Sequence, residues 1–328
     1  MSDEPRRHEA TALWIEAAGR AALRRERLRE PKDGECRVAT RFGAISRGTE
    51  RLVFQGRVPA DQHEAMRAPF QAGGFDFPLK YGYASVGLVE AGPAALIGRT
   101  VFCLHPHQDR FVVPSEALHL VPEGLPAERA VLAANMETAL TIVWDAGLQP
   151  GDRLAVIGAG MVGALVAALA AGIPGTEVTL VDVASGRERL AAALGIGFAA
   201  PGEAPTDCDV AVHVSGSAGG LDTAIACLGF EGRAVEASWY GTAPVELRLG
   251  GAFHSKRLSI LGSQVGAVPP ARRARWSTAR RLDLALRLLR DRPELDALVS
   301  GESDFASLAH DYAAVLDAPD TLCHRIRY

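Results

Sequence analysis

Between Arg153 and Asp182 the sequence reads as one unit that few folds can hold. An apolar strand, Leu154 to Ile157, runs into Gly158-Ala159-Gly160-Met161-Val162-Gly163, and an apolar helix, Met161 to Ala171, follows. A second strand, Glu177 to Val181, ends at Asp182, nineteen residues past Gly163. In a chain with 34 glycines the bare G-x-G-x-x-G pattern is weak, and its strand–turn–helix–strand setting is what gives it weight. Each part has a physical task. Gly158 permits a tight turn, Gly160 lets the backbone approach a pyrophosphate, and Gly163 lets helix and strand pack closely. The helix start at Met161 and Val162 offers unpaired N–H groups and a positive dipole end to phosphate. Asp182 is suited to accept hydrogen bonds from the ribose hydroxyls of NAD and to repel the extra phosphate of NADP. Ser185 and Arg187 nearby soften that preference, so NAD is the expected cofactor and NADP the less favoured one. The plainer alternative is a glycine-rich turn in an α/β sheet with an exposed aspartate.

The same stretch, Leu154 to Ile173, is twenty residues without a charge, long enough to span a bilayer. Its glycines, strand-like start and missing aromatic belt favour a buried strand, turn and helix, so no membrane partner is expected. At 328 residues there is room for about two domains. Apolar residues at 48% and charged residues at 23% fit an ordinary globular protein. With 35 Lys and Arg against 39 Asp and Glu, the net charge of −4 gives no broad basic field for nucleic acid. Cys36, Cys103, Cys208, Cys227 and Cys323 are scattered, with no C-x-x-C pair. They suggest neither a disulfide framework nor a cysteine zinc lobe, and a cytoplasmic setting is expected. No apolar leader is visible at the N-terminus.

Residues 10–45 and 79–113 are strand-like, although Arg24 to Glu30 fits a helix as well. Texture changes near Leu120 to Pro126. Beyond it, Glu128 to Ala146 reads as a helix, and strands and helices then alternate as in a parallel sheet. Arg272 to Arg290 reads as an amphipathic helix. Its leucine face is Leu282, Leu284, Leu286, Leu288 and Leu289, and its arginines, Arg281 among them, form a solvated face. A nucleic-acid contact is the weaker reading of that helix. The expected division is 1–122, 123–267 and 268–328.

With a β-rich part before the glycine unit and a tail after it, the chain resembles the medium-chain dehydrogenase/reductase superfamily over nearly its whole length. The resemblance rests on Pro31 to Val38, Gly43 to Arg47, Gly82 to Glu90, Leu148 to Asp152, Val214 to Gly216 and Ile260 to Ser263. It implies an α/β fold: a Rossmann doubly wound parallel sheet domain (123–267) and a β-rich GroES-like catalytic domain (1–122). A C-terminal helical segment (268–328) would return to the catalytic domain, and the usual assembly would be a homodimer. Ser46 to Glu50, Gly82-Tyr83 and Tyr312 to Leu322 are nearest to the bacteriochlorophyllide hydroxyethyl dehydrogenase type. Ala84 replaces the glutamate of that type, so its substrate does not carry over.

Many members of the superfamily bind a catalytic zinc through Cys, His and a third Cys, Asp or Glu. Here the matching positions are Ser46 and Tyr83, and Ala133 to Thr138 holds only Glu137, so no zinc is expected. His105 and His107, two apart on an expected strand, would point to one face, more as a hydrogen-bonded feature than a metal pair. The resemblance places Tyr83 toward the reacting centre, as a proton donor or as filler of the vacated volume; Ser46 and Thr49 are either orienting or relay hydroxyls or plain turn or strand hydroxyls. It assigns Arg47, Ser215 and Gly216 to the cofactor. Glu50, Glu137, Trp239 and Tyr240 are the candidates for the substrate pocket; for Glu50 a surface carboxylate is an equal reading, and for Trp239 and Tyr240 the alternative is a cap on the core. The expected activity is zinc-independent hydride transfer between NAD(H) and a small-molecule alcohol, ketone or activated alkene. The alternative is a dinucleotide-binding protein without turnover.

Overall fold

The computed structural model describes residues 8–328. It begins with β1 (Glu9–Ala17), β2 (Arg20–Arg27), β3 (Glu35–Ser46) and the short helix α1 (Arg47–Phe54). Strands β4 (Ala72–Gly73), β5 (Leu79–Lys80), β6 (Ser85–Ala91), β7 (Thr100–Cys103), β8 (Arg110–Pro114) and β9 (His119–Leu120) lead to helices α2 (Ala127–Ala130) and α3 (Ala133–Ala146). Alternation follows: β10 (Arg153–Ile157), α4 (Met161–Ala170), β11 (Glu177–Val181), α5 (Glu188–Ala193), β12 (Gly197–Ala199), β13 (Cys208–His213), α6 (Ala218–Cys227), β14 (Leu228–Glu236), α7 (Ala252–Ser255) and β15 (Ser259–Gly262). The chain closes with α8 (Thr278–Arg290), β16 (Val299–Asp304), α9 (Leu308–Asp317) and β17 (Cys323–Arg327). Two compact units result. One takes the chain through Ala134 with Leu286–Arg292 and Val299–Tyr328; the other takes Asn135–Ala285 and Pro293–Leu298.

The first unit is β-rich. Its main sheet runs β16-β17-β3-β6-β7-β9, with β8 also on β3, and a smaller antiparallel sheet runs β2-β1-β5-β4. The arginine-rich segment that also fitted a helix is strand β2. Alternate side chains there reach across the hairpin: Arg24 bonds Glu16 at 2.9 Å and lies over the Trp14 ring. The tail is not only helical. Strand β17 pairs with β3, setting Cys323 opposite Ser46.

The second unit is a doubly wound sheet of Rossmann type. Its six parallel strands run β12-β11-β10-β13-β14-β15, and the order reverses between β10 and β13. Both faces are covered, so its strands are continuous apolar runs: Leu154 to Ile157 and Val210 to Val212 are buried. Helix α4 buries Gly163 to Ala168, which accounts for its lack of charge. Among the described residues no helix is long and apolar enough to cross a membrane. Strand ends at a reversal of order leave a crevice at the carboxyl edge of the sheet, where ligands of such folds bind.

Two features depart from the sequence expectation. Residues 268–285 stay with the parallel-sheet unit, and α8 starts at Thr278 rather than Arg272. Arg281 is not on a solvated face. It is 1% exposed, with Nε on Oε1 of Glu137 at 3.0 Å and its terminal nitrogens on the carbonyls of Ala267 and Val265. Only matched partners make such burial tolerable. Replacing Arg281 with Met is therefore expected to cost about 3–5 kcal/mol in urea unfolding. Arg287→Met, at an exposed position of the same helix, should stay within about 0.5 kcal/mol. Equal losses would mean the buried pair carries no special weight.

Candidate functional site

In the second unit the glycine loop follows β10 at the carboxyl edge. Gly158 has φ +109, and a side chain there would meet the Ser215 backbone nitrogen at 2.8 Å. A Cβ on Gly163 would run into the Gly158 carbonyl oxygen, so loop and helix touch backbone to backbone. A Cβ on Gly160 would meet nothing within 4 Å. Gly160 is the N-cap of α4, and no side chain caps that end. The first-turn N–H groups, at Met161, Val162 and Gly163, thus open onto space a phosphate can enter. These residues fit a dinucleotide pyrophosphate.

Asp182, at the end of β11, is half-buried and closes the loop. Its Oδ2 accepts the Ala159 N–H at 2.7 Å and its Oδ1 accepts the Ala184 N–H at 2.9 Å. Each oxygen keeps a lone pair for a further donor. Arg187 lies in the turn after Asp182. Gly216 has φ +68 and donates its N–H to Ser238 Oγ at 3.1 Å.

Two residues at this edge escaped the sequence reading, His213 and Glu236. His213 Nδ1 lies 2.7 Å from Glu236 Oε2, and its Nε2 lies 2.6 Å from Ser215 Oγ. Tyr240 donates its hydroxyl to Glu236 Oε2 at 2.9 Å. Burial alone would raise the Glu236 carboxyl, but the His213, Ser238 and Tyr240 donors hold it below the usual carboxylate range. Burial and the Glu236 charge push the Tyr240 phenol up. Trp239 beside it is half-buried. The available signal was a histidine ending the apolar run Val210 to Val212, where a polar ring needs partners.

In the first unit the structure brings Tyr83, Ser46 and Thr49 together. The Ser46 and Thr49 side chains lie close enough to the Tyr83 hydroxyl to favour its ionised form, and the ring meets Tyr81 edge-on at 6.1 Å. Burial and the nearby Glu50 charge push the Tyr83 phenol up to about 12, against the pull of the two hydroxyls. Arg47, on α1, is half-buried and donates Nε to the Leu316 carbonyl at 3.0 Å.

Glu50 is not a surface carboxylate, and it does not line an open pocket. It is wholly buried and takes three donors: the Ser46 N–H at 2.7 Å, the Tyr312 hydroxyl at 2.6 Å and His107 Nε2 at 2.8 Å. Glu137 likewise is 5% exposed and paired with Arg281 rather than lining a pocket. His105 and His107 lie between β7 and β8, outside a strand, and do not share a face. The His107 ring turns to Glu50, fitting against Gly82, where a Cβ would meet Nε2 at 2.8 Å. The His105 ring stacks on Phe111 at 3.8 Å between centroids. Serine and tyrosine hydroxyls lie outside the donor set that zinc selects. Among the described residues no three His, Cys, Asp or Glu side chains gather as a metal site.

No protein-family model matches the chain. Among curated proteins it is 27% identical over 270 residues to 2-dehydro-3-deoxy-L-galactonate 5-dehydrogenase of Pseudoalteromonas atlantica, covering 72% of this chain and 77% of that one. Among solved structures it is similar to L-idonate 5-dehydrogenase from Escherichia coli, with a TM-score of 0.80 at 16% identity over 98% of both chains. It is also similar to a short chain alcohol dehydrogenase from E. coli CFT073 complexed with NADH, with a TM-score of 0.78 at 15% identity over 98% of this chain and 100% of that one. At these identities the structural likeness is one of fold: the chain folds as these dehydrogenases do over nearly its whole length.

Burial holds the His105 ring neutral, pushing it down to about 3. The unfolded histidine takes a proton near pH 6.5, so between about 6.5 and 3 the unfolded state binds the extra proton. The stability present above about pH 6.5 is lost as pH falls through that window. His105→Phe keeps an aromatic ring against Phe111 and removes the titration. Urea unfolding at pH 7 and 5 should show the wild type losing about 2 kcal/mol more than the variant. Parallel losses would show that His105 is protonated in the fold.

Proposed function

We propose that this chain is a nicotinamide-dinucleotide-dependent dehydrogenase moving hydride between NAD(H) and an alcohol or ketone, with hydroxyl groups at the positions where many members of the superfamily it resembles carry zinc ligands. The observation that carries the reading is the glycine cradle: open space over Gly160, an uncapped α4 start and Asp182 beside it, at the point where strand order reverses. The names of the similar proteins, a dehydrogenase of a deoxy sugar acid and L-idonate 5-dehydrogenase, favour a polyhydroxylated small molecule as substrate.

When bound, the nicotinamide supplies the hydride donor or acceptor. The chain's own residues do the rest. N–H groups at Met161 and Val162 hold a phosphate. Asp182 accepts from ribose hydroxyls and disfavours a 2′-phosphate, which supports NAD over NADP. Arg47 and Arg187 carry guanidinium forks suited to phosphate. Ser215 and Gly216 complete the cradle's far wall, and Trp239 and Tyr240 remain the aromatic candidates for the substrate. Tyr83, still protonated at neutral pH because its phenol sits near 12, donates a hydrogen bond to the carbonyl oxygen as negative charge builds there. Ser46 and Thr49 aim that hydroxyl and can pass its proton on. Glu50 and Glu137 act behind the site, by holding local structure.

The test begins with EDTA-treated protein titrated with NADH and NADPH by fluorescence. Tighter binding of NADH without metal is the expected result; binding of neither nucleotide overturns the reading. Gly160→Ser should abolish binding with little loss of stability, because serine caps helices well and its side chain meets no protein atom. In a screen of polyols and sugar acids, Tyr83→Phe should lower kcat by about 10²–10⁴ and leave NADH affinity unchanged. An unaltered kcat would make Tyr83 a filler of space.

A further inference from the structure

Strand β13 ends in the buried His213, and the chain turns through Val214, Ser215, Gly216 and Ser217 into α6. A carboxylate only accepts hydrogen bonds. Since Glu236 Oε2 lies 2.7 Å from His213 Nδ1, that nitrogen carries the ring proton. Nε2 is then a bare acceptor, and the Ser215 hydroxyl donates to it across 2.6 Å. Ser217 Oγ, 2.9 Å from Ser215 Oγ, is left to donate to the serine oxygen. The Ser238 N–H at 2.7 Å and the Tyr240 hydroxyl at 2.9 Å fix Glu236 from its other sides. A hydroxyl, an imidazole that can take its proton and a carboxylate that orients the imidazole stand in line. That arrangement makes a serine oxygen nucleophilic.

The backbone supplies the remaining parts. Ser215 is exposed on a strand-to-helix turn at the carboxyl edge of a parallel sheet, and Gly216 at φ +68 makes the bend. A turn of this kind lifts a serine clear of its sheet. Helix α6 starts three residues on, at Ala218, so its positive dipole end lies near charge developing at that turn, while its Gly220 N–H is taken by Ser217 Oγ at 3.1 Å. Gly220, in its first turn, cannot carry a side chain, since a Cβ would meet His213 Nε2 at 2.6 Å. The helix approaches the relay only because that residue is glycine.

The geometry points to Ser215 as an acyl-accepting nucleophile, giving the chain a hydrolytic activity on small activated acyl esters that is separate from hydride transfer. In the first half, a bond forms between Ser215 Oγ and the acyl carbon while the bond to the leaving alcohol breaks. The serine proton passes to His213 Nε2 and on to the leaving oxygen. In the second half, water attacks the acyl carbon and gives a proton to Nε2. The bond to Oγ breaks, the acid leaves, and the proton returns to Ser215. No oxidant or reductant is involved, and the inference does not depend on the dehydrogenase reading.

The test uses the full chain without dinucleotide and a fluorophosphonate probe, which transfers a phosphonyl group to an activated serine with loss of fluoride. Intact-mass and peptide mapping should find one adduct per chain, on Ser215. 4-Nitrophenyl acetate should be hydrolysed with a burst of one nitrophenol per chain. Ser215→Ala should abolish both signals, and Glu236→Gln should slow labelling at least about tenfold. The site of the adduct in the wild-type chain decides the question even if a variant misfolds. No adduct, an adduct elsewhere, or equal labelling of Ser215→Ala overturns the proposal.

Discussion

The second unit depends on backbone meeting backbone where no Cβ fits. A side chain on Gly163 would run into the Gly158 carbonyl, and one on Gly158 would run into the Ser215 amide. The end of β10, the start of α4 and the turn after β13 are thereby locked at the spacing of bare chains. Asp182 ties the end of β11 to the same loop through the Ala159 amide. Three strand ends and a helix start therefore converge with no side chain filling the space over Gly160. A ligand entering there meets the positive end of a helix, a carboxylate with lone pairs to spare and a histidine-backed serine. In the proposed reaction the first two recognise the cofactor and the Ser215 backbone walls the cradle; the pairing of the Ser215 hydroxyl with His213 is chemistry that dinucleotide binding does not call for.

The first unit is organised around a buried charge. Glu50 has no solvent, so its charge is stabilised by the Ser46 amide, the Tyr312 hydroxyl and His107. These donors come from the end of β3, from α9 and from the segment between β7 and β8, so one carboxylate holds together parts of the chain far apart in sequence. The bond to the Ser46 amide also fixes where α1 begins. That in turn sets Ser46 and Thr49 beside the Tyr83 hydroxyl. In the second unit Glu137 and Arg281 repeat the device, holding the start of α8 to α3.

Much of this architecture was legible because it is written in local periodicity and glycine placement. The βαβ unit, the Rossmann sheet and the strand-rich opening all follow from residues within about twenty positions of one another. The meeting of Tyr83 with Ser46 and Thr49 came from motif resemblance, not periodicity. Choices of partner across long separations left no local mark. Nothing around Glu50 announces Tyr312, 262 residues away. Nothing in the arginine pattern of residues 272–290 singles out Arg281 as the buried one, because a helical repeat cannot say which charge meets a carboxylate on another helix. Strands β16 and β17 were hidden too: β16 is a polar edge strand, and β17, although it lies between β16 and β3, reads Cys-His-Arg-Ile-Arg, too short and polar to show its alternation. The His213–Glu236 pair lay in plain view as one histidine and one glutamate at neighbouring strand ends, but strand order had to be known first.

The hydroxyl cluster also bears on the protonation state from which the proposed reaction starts. A phenol held near 12 is a poor base at neutral pH and a competent donor, so Tyr83 is matched to an oxygen gaining negative charge, as in carbonyl reduction. The source of that elevation is partly Glu50, whose charge opposes a tyrosinate. Glu50 is itself unable to serve as the base, because both its oxygens are engaged and no solvent reaches it. Alcohol oxidation would need Tyr83 to release a proton, through Ser46 or Thr49, against that same charge. The buried carboxylate that positions the cluster thus also keeps the phenol protonated, the state from which the proposed hydrogen bond to a carbonyl oxygen is donated.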